Sequence, residues 1–211
     1  MTKVFISYHH KNDQGRKEHL SWMASRYECF EDGSVNTGDI DDDHRRSESI
    51  RTLIRDNYLR DTQVTVLLCG METHERKHVD WELKSSMIDG ELNKKSGILV
   101  INLPGVADNL WCADLPEEKS VIYSDYTGEW TSVTSRKDWE ERFPLMPARI
   151  VDQLMCDDVC LSVVPWSRIE GKPDHLRWFV DQTAKIRSQN KYDLSRRMRR
   201  QNSPVASHRR R

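Results

Sequence analysis

Glycine is scarce, nine in 211 residues, and no cluster of it forms a phosphate-binding loop. Neither G-x-G-x-x-G nor the P-loop pattern occurs, which argues against a Rossmann dehydrogenase and a P-loop nucleotidase. There is no G-x-S-x-G elbow, so a serine hydrolase built on that turn lacks its nucleophile. No apolar run approaches the ~20 residues a bilayer-spanning helix needs. The opening residues Met1-Thr2-Lys3-Val4-Phe5 enter an apolar stretch without signal-peptide architecture. A cytoplasmic protein is expected, with no membrane partner. The five cysteines are scattered at 29, 69, 112, 156 and 160 and read as free thiols in a reducing compartment. Cys156 and Cys160 have the spacing to meet on a helix, but without histidine neighbours they make a poor metal site. The formal net charge of −1 gives no overall attraction to nucleic acid.

What is present is a polar chain, 32% charged, whose 36% hydrophobic residues still suffice for one core. Residues 3–8 (KVFISY), 63–69 (QVTVLLC) and 97–103 (GILVINL) are short apolar runs that read as buried strands, and 30–35 as a short second strand. Between them, residues 9–16 read as a polar loop. Leu20, Met23, Ala24 and Tyr27 mark a helix over 18–28, Ile50, Leu53, Ile54 and Tyr58 a second, and Val79, Leu83 and Met87 a third over 78–93. The acidic run Asp41-Asp42-Asp43 suits the start of the second helix better than a metal site. Helices alternating with fully apolar strands predict an α/β fold, a parallel sheet with helices on both faces.

An irregular segment follows, 106–147, whose Trp111, Trp130 and Trp139 read as core rather than as a binding surface. A short helix near 149–155, a last strand over 159–164 and an amphipathic helix carrying Leu176, Phe179, Val180, Thr183 and Ala184 complete the domain. The expected organisation is a core of residues 1–105, a C-terminal elaboration of 106–190 that completes the same domain, and a basic tail of 191–211 that frays in solvent. That tail reads as a solvated terminus before it reads as a contact for nucleic acid or for a partner's acidic face.

Ligands of open parallel sheets bind outside the carboxyl ends of the strands. Here those ends carry Ser7, Tyr8, His9 and His10, the loop from Gly70 to His78, and residues 102–105. The densest polar cluster is residues 74–82, HERKHVDWE.

The opening Val4-Phe5-Ile6-Ser7-Tyr8 with Asn12-Asp13 beyond it resembles the start of a TIR domain, and the order of elements is that of the flavodoxin-like TIR fold. The run Arg76-Lys77-His78-Val79-Asp80-Trp81-Glu82 resembles the catalytic-glutamate motif of enzymatic TIR domains. The pattern is most similar to the TIR-like, NAD-consuming component of bacterial Thoeris antiphage systems. The likeness covers about residues 1–105.

It implies cleavage of the bond between nicotinamide and ribose, with NAD as substrate and neither metal nor organic cofactor. Its implied catalytic residue is Glu82, with Phe5, Ser7, Tyr8, His9, His10 and His78 around the substrate. Such enzymes often carry arginine where this chain has His9 and His10, and here Trp81 directly precedes the glutamate. The resemblance further implies self-association, a cyclised ADP-ribose product, a downstream effector protein that senses it, and a phage-derived trigger. Glu82, in the first turn of its helix, is expected to be held ionised by the helix dipole.

Two other readings stand beside this one. A TIR-type adaptor would signal by self-association without turnover. His74-Glu75-Arg76-Lys77-His78 also matches H-E-x-x-H, in which two histidines one helical turn apart bind zinc and the glutamate activates water. That match falls just after a strand, in a segment that reads as loop, with no third ligand evident.

Overall fold

A computed structural model of the chain describes residues 1–34, 59, 61–90, 93–106 and 109–202. Five parallel strands lie in the order β2-β1-β3-β4-β5: β1 (Lys3–Ser7), β2 (Glu31–Asp32), β3 (Val64–Cys69), β4 (Gly97–Asn102) and β5 (Ser162–Pro165). This is the flavodoxin-like order. β3 and β4 are buried along their whole length, because helices cover both sides of the sheet.

Alternation along the strands divides the core. Val4, Ile6, Val66, Leu68, Leu99 and Ile101 face α1 (His10–Arg26) and α6 (Pro173–Ile186). Leu67, Cys69, Ile98, Val100 and Val163 face α2 (Lys77–Met87), α4 (Arg136–Arg142) and α5 (Ala148–Leu154). The short α3 (Glu118–Val121) lies in the segment between β4 and β5. Gly97 lets α6 come down on β4, since a Cβ there would stand 2.4 Å from the Thr183 carbonyl oxygen.

Helix α1 begins at His10, directly after β1, so the polar loop expected over residues 9–16 is helix instead. Its first half shows no apolar stripe because it faces solvent. The buried residue that anchors that half is a carboxylate, Asp13. Helix α2 stops at Met87, short of the expected 93, as Ile88 turns to extended backbone. The second strand is only two residues long, and the last strand is shifted to 162–165. The helix expected over Ile50–Tyr58 and the acidic run before it lie outside the described residues.

Trp139 packs in the α2 face of the core, Trp111 stacks on Tyr123 at 5.2 Å, and Trp130 meets Tyr126 edge-on while remaining 40% exposed. Residues 191–202, expected to fray, are instead tied down. Lys84 Nζ on α2 donates to the carbonyls of Leu194 and Arg196, and Trp81 Nε1 to that of Arg199 at 2.7 Å. Arg149 on α5 donates to the carbonyls of Arg196 and Arg197. Polarity misled the sequence reading because much of this segment is held through its backbone carbonyls, which any sequence presents, and its polar side chains add to the hold through the Arg196–Asp152 pair. No described helix is long and apolar enough to cross a membrane.

Candidate active site

The chain turns to opposite sides of β1 on its way to β2 and β3, so the switch point of the sheet lies between β1 and β3. Ser7 is the last residue of β1 and is fully buried on the α2 side. Its Oγ donates to Glu82 Oε2 at 2.6 Å, a short charge-assisted bond. Glu82 stands in the middle of α2 and is only 8% exposed.

The helix is pinned at this point. Val79, Leu83 and Met87 are buried at i, i+4 and i+8 against β3 and β4. On the flank, Thr65 Oγ1 of β3 donates to Ser86 Oγ, which donates to the Glu82 carbonyl at 2.8 Å. A carboxylate set between these contacts has few rotamers left.

Burial disfavours the charged form and pushes Glu82 up to about 7; the Ser7 hydroxyl opposes this by bonding the carboxylate. The expectation of a dipole-stabilised carboxylate in the first turn therefore fails. The helix begins at Lys77, so Glu82 lies beyond the first turn, where the dipole is weak and desolvation dominates.

Tyr8 follows Ser7, donates its hydroxyl to Gln14 Oε1 at 2.7 Å and stacks on the His10 ring at 4.3 Å. Its phenol is raised by burial and, next, by the charge of Glu82, which puts it in the same electrostatic neighbourhood. His78 lies one helical turn before Glu82 on α2, its ring edge-on to Trp81 at 5.0 Å. Phe5 is buried in a cluster with Trp81 and Leu59, against which the partly buried Met198 packs. His9 is buried near Glu72, with its ring held neutral by burial and by Arg76.

One residue, named only as part of the opening motif, has a structural role the sequence reading missed. Asp13 is buried in the first turn of α1 and accepts from Thr73 Oγ1 at 3.3 Å, clamping α1 to the loop after β3. Gly70 is required there, since a Cβ would stand 2.4 Å from Asp13 Oδ2. Burial raises the Asp13 carboxyl. The available signal was an acid following the first strand, but reading that segment as loop hid its place in a helix.

Against known families, residues 5–108 match the one described as Thoeris protein ThsB, TIR-like domain. The chain carries a TIR-like domain of the Thoeris ThsB family. The match runs from within β1 to just beyond β4, and so takes in Ser7, the loop after β3 and Glu82. Compared with curated proteins, the chain shows no significant match. The family carries with it a TIR-type role in antiphage defence.

Within this TIR-like domain the H-E-x-x-H reading loses its structural premise. Thr73–Glu75 is a turn of 3-10 helix, Arg76 is extended, and α2 starts only at Lys77. His74 and His78 therefore do not share one face of a continuous helix. No group of three or more His, Cys, Asp and Glu residues positioned to hold a metal occurs among the described residues.

Proposed function

We propose that this chain is an NAD-cleaving enzyme of Thoeris defence, with Glu82 as its catalytic carboxylate. The observation that carries the reading is the buried Ser7–Glu82 pair at the carboxyl end of β1, where the sheet order reverses. Such a pair makes a rigid carboxyl group that ionises near neutral pH in a dry setting, and no structural need for a lone buried glutamate is evident on α2.

The chemistry asks for little more. The nicotinamide of NAD is already cationic. When the bond between C1′ and its ring nitrogen breaks, the electron pair leaves with neutral nicotinamide and positive charge develops on the ribose. A fixed, ionised Glu82 beside the sugar stabilises that charge. A hydroxyl or ring nitrogen of the same product, attacking C1′ with loss of a proton, gives a cyclic ADP-ribose; water gives the linear one. Tyr8 and His10, as a stacked pair, and His78 offer aromatic surface and hydrogen bonds at the rim. No organic cofactor or metal enters the scheme. In a defence setting the product is the message, so the reading includes a phage-derived trigger, self-association and an effector protein that senses the nucleotide.

The test is NAD consumption with product analysis by mass spectrometry, on wild type and Glu82→Gln, at high protein concentration and with infected-cell extract. Wild type is expected to release nicotinamide and the variant to lose about 10²–10³-fold in rate, the scale of a lost transition-state charge contact. The product mass separates cyclic from linear ADP-ribose. NAD loss undiminished in Glu82→Gln would sink the assignment, and no consumption under any condition would favour the adaptor.

A further inference from the structure

We propose that a cavity on the far side of α2 from Glu82 is a binding site for phosphate groups. It has a volume of about 150 Å³ and lies where the loop before α2, the start of α5 and the C-terminal segment meet. Five arginines line it, Arg76, Arg149, Arg196, Arg197 and Arg199, together with His74; Asp80 is the one acid among its lining residues. Asp80 and Glu82 are two residues apart and so about 200° apart around the helix. The cavity is thus separate from the Ser7–Glu82 pair and independent of the function proposed for it.

Charge accounting leaves a surplus. Arg149, 1% exposed, pairs with Asp80 at 2.8 Å. Arg196 pairs with Asp152, and Arg76 with Glu72. Arg197 and Arg199 have no ion-pair partner among the described residues. The backbone nitrogen of Arg199 donates to Asp80 Oδ2, and its guanidinium to the His74 carbonyl, so the cation is fixed at the wall by the chain rather than by an acid. Arg76 Nε is buried without an acceptor. Burial lowers the His74 pKa, Glu75 opposes this, and Arg199 and Arg76 add to the lowering.

A pre-built surplus of guanidinium donors with an unfilled N–H suits a compact anion with several acceptors. Planar guanidinium groups match phosphate oxygens in pairs. The volume is below that of a pocket for a drug-sized ligand, so it takes a phosphate or diphosphate group, not a whole dinucleotide. The source is either free phosphate or the phosphates of a nucleotide whose remainder projects outward. Because the C-terminal segment supplies three of the arginines, the anion would fasten that segment to α2.

The experiment is calorimetric titration and thermal unfolding of the full chain with inorganic phosphate, diphosphate and ADP-ribose at fixed ionic strength. The proteins are wild type, Glu82→Gln and Arg197→Gln/Arg199→Gln. Saturable binding of phosphate or diphosphate is expected in wild type and Glu82→Gln alike. It should weaken at least about tenfold in the double arginine variant, as loss of charge-assisted bonds predicts. ADP-ribose binding more tightly than diphosphate, with the same arginine dependence, would name a nucleotide as the source; equal affinities would name free phosphate. No saturable phosphate or diphosphate binding in wild type overturns the proposal. So does binding that the arginine changes leave intact; ADP-ribose binding that only Glu82→Gln disturbs would place the nucleotide at Glu82 and name free phosphate as the source here. Arg197 is exposed, so Arg197→Gln alone serves as the variant if the double change impairs folding.

Discussion

A carboxyl group with a pKa near 7 is half ionised at neutral pH, and Glu82 is placed there by burial against a single hydroxyl donor. On the proposed reaction only the ionised form works, so kcat/KM should fall about tenfold per pH unit below about 7. The cationic nicotinamide–ribose lowers the pKa once bound, so the limb in kcat should lie at lower pH than that in kcat/KM. Ser7→Ala removes the bond that favours the ionised form and should move the kcat/KM limb upward; a limb unmoved in Ser7→Ala would remove Ser7 from the mechanism. Stability carries the same signature with opposite sense. The folded pKa exceeds the ordinary 4.5, so between about 4.5 and 7 the native state keeps a proton that the unfolded chain has lost. Stability then falls as pH rises through that window, by roughly 3 kcal/mol in full. Glu82→Gln should therefore gain on wild type in chemical denaturation at pH 8, and the gap should close near pH 4.5.

Helix α2 is held from two sides, and its two faces do different work. One face meets the sheet through Val79, Leu83 and Met87; the other edge holds Trp81 over Phe5, with Glu82 between. Asp80 reaches across to α5, where Arg149 is fully enclosed. Removing one member of such a pair leaves a buried charge without its partner. Arg149→Met should lower stability by about 3–5 kcal/mol in urea unfolding, and an added Asp80→Leu should restore much of it. Full recovery is not required, because Arg199 N–H also bonds Asp80 Oδ2 and Arg149 also bonds two carbonyls. An unchanged midpoint in Arg149→Met would show that the pair does not join α2 to α5.

Across the whole molecule, the C-terminal segment closes the structure from outside the matched region. Its carbonyls take hydrogen bonds from Trp81, Lys84 and Arg149, and Met198 covers Phe5 and Trp81. Ending the chain at Asn190 would strip these from both α2 and α5. The expected loss is about 2–4 kcal/mol of stability, from several hydrogen bonds given back to water and the apolar cover lost. It would be read as a lower thermal midpoint together with a change in tryptophan emission. A truncated chain as stable as the full one would mean that residues 191–202 only rest on the surface.

The apolar runs 64–69 and 97–102 by themselves determined a parallel sheet buried on both faces, because such strands have no polar side to offer water. The family motif around Glu82 was legible for the same local reason: it is contiguous. The first half of α1 was not, since its anchor is the polar Asp13 against Gly70, 57 residues away and invisible to a hydrophobic pattern. Nor was the pairing of Ser7 with Glu82, 75 residues apart. Much of the packing of residues 191–202 depended on backbone carbonyls that carry no sequence signature. Only the tertiary structure decided that five arginines from three separate segments face one cavity, because juxtaposition follows from how the layers close and not from the order of residues along the chain.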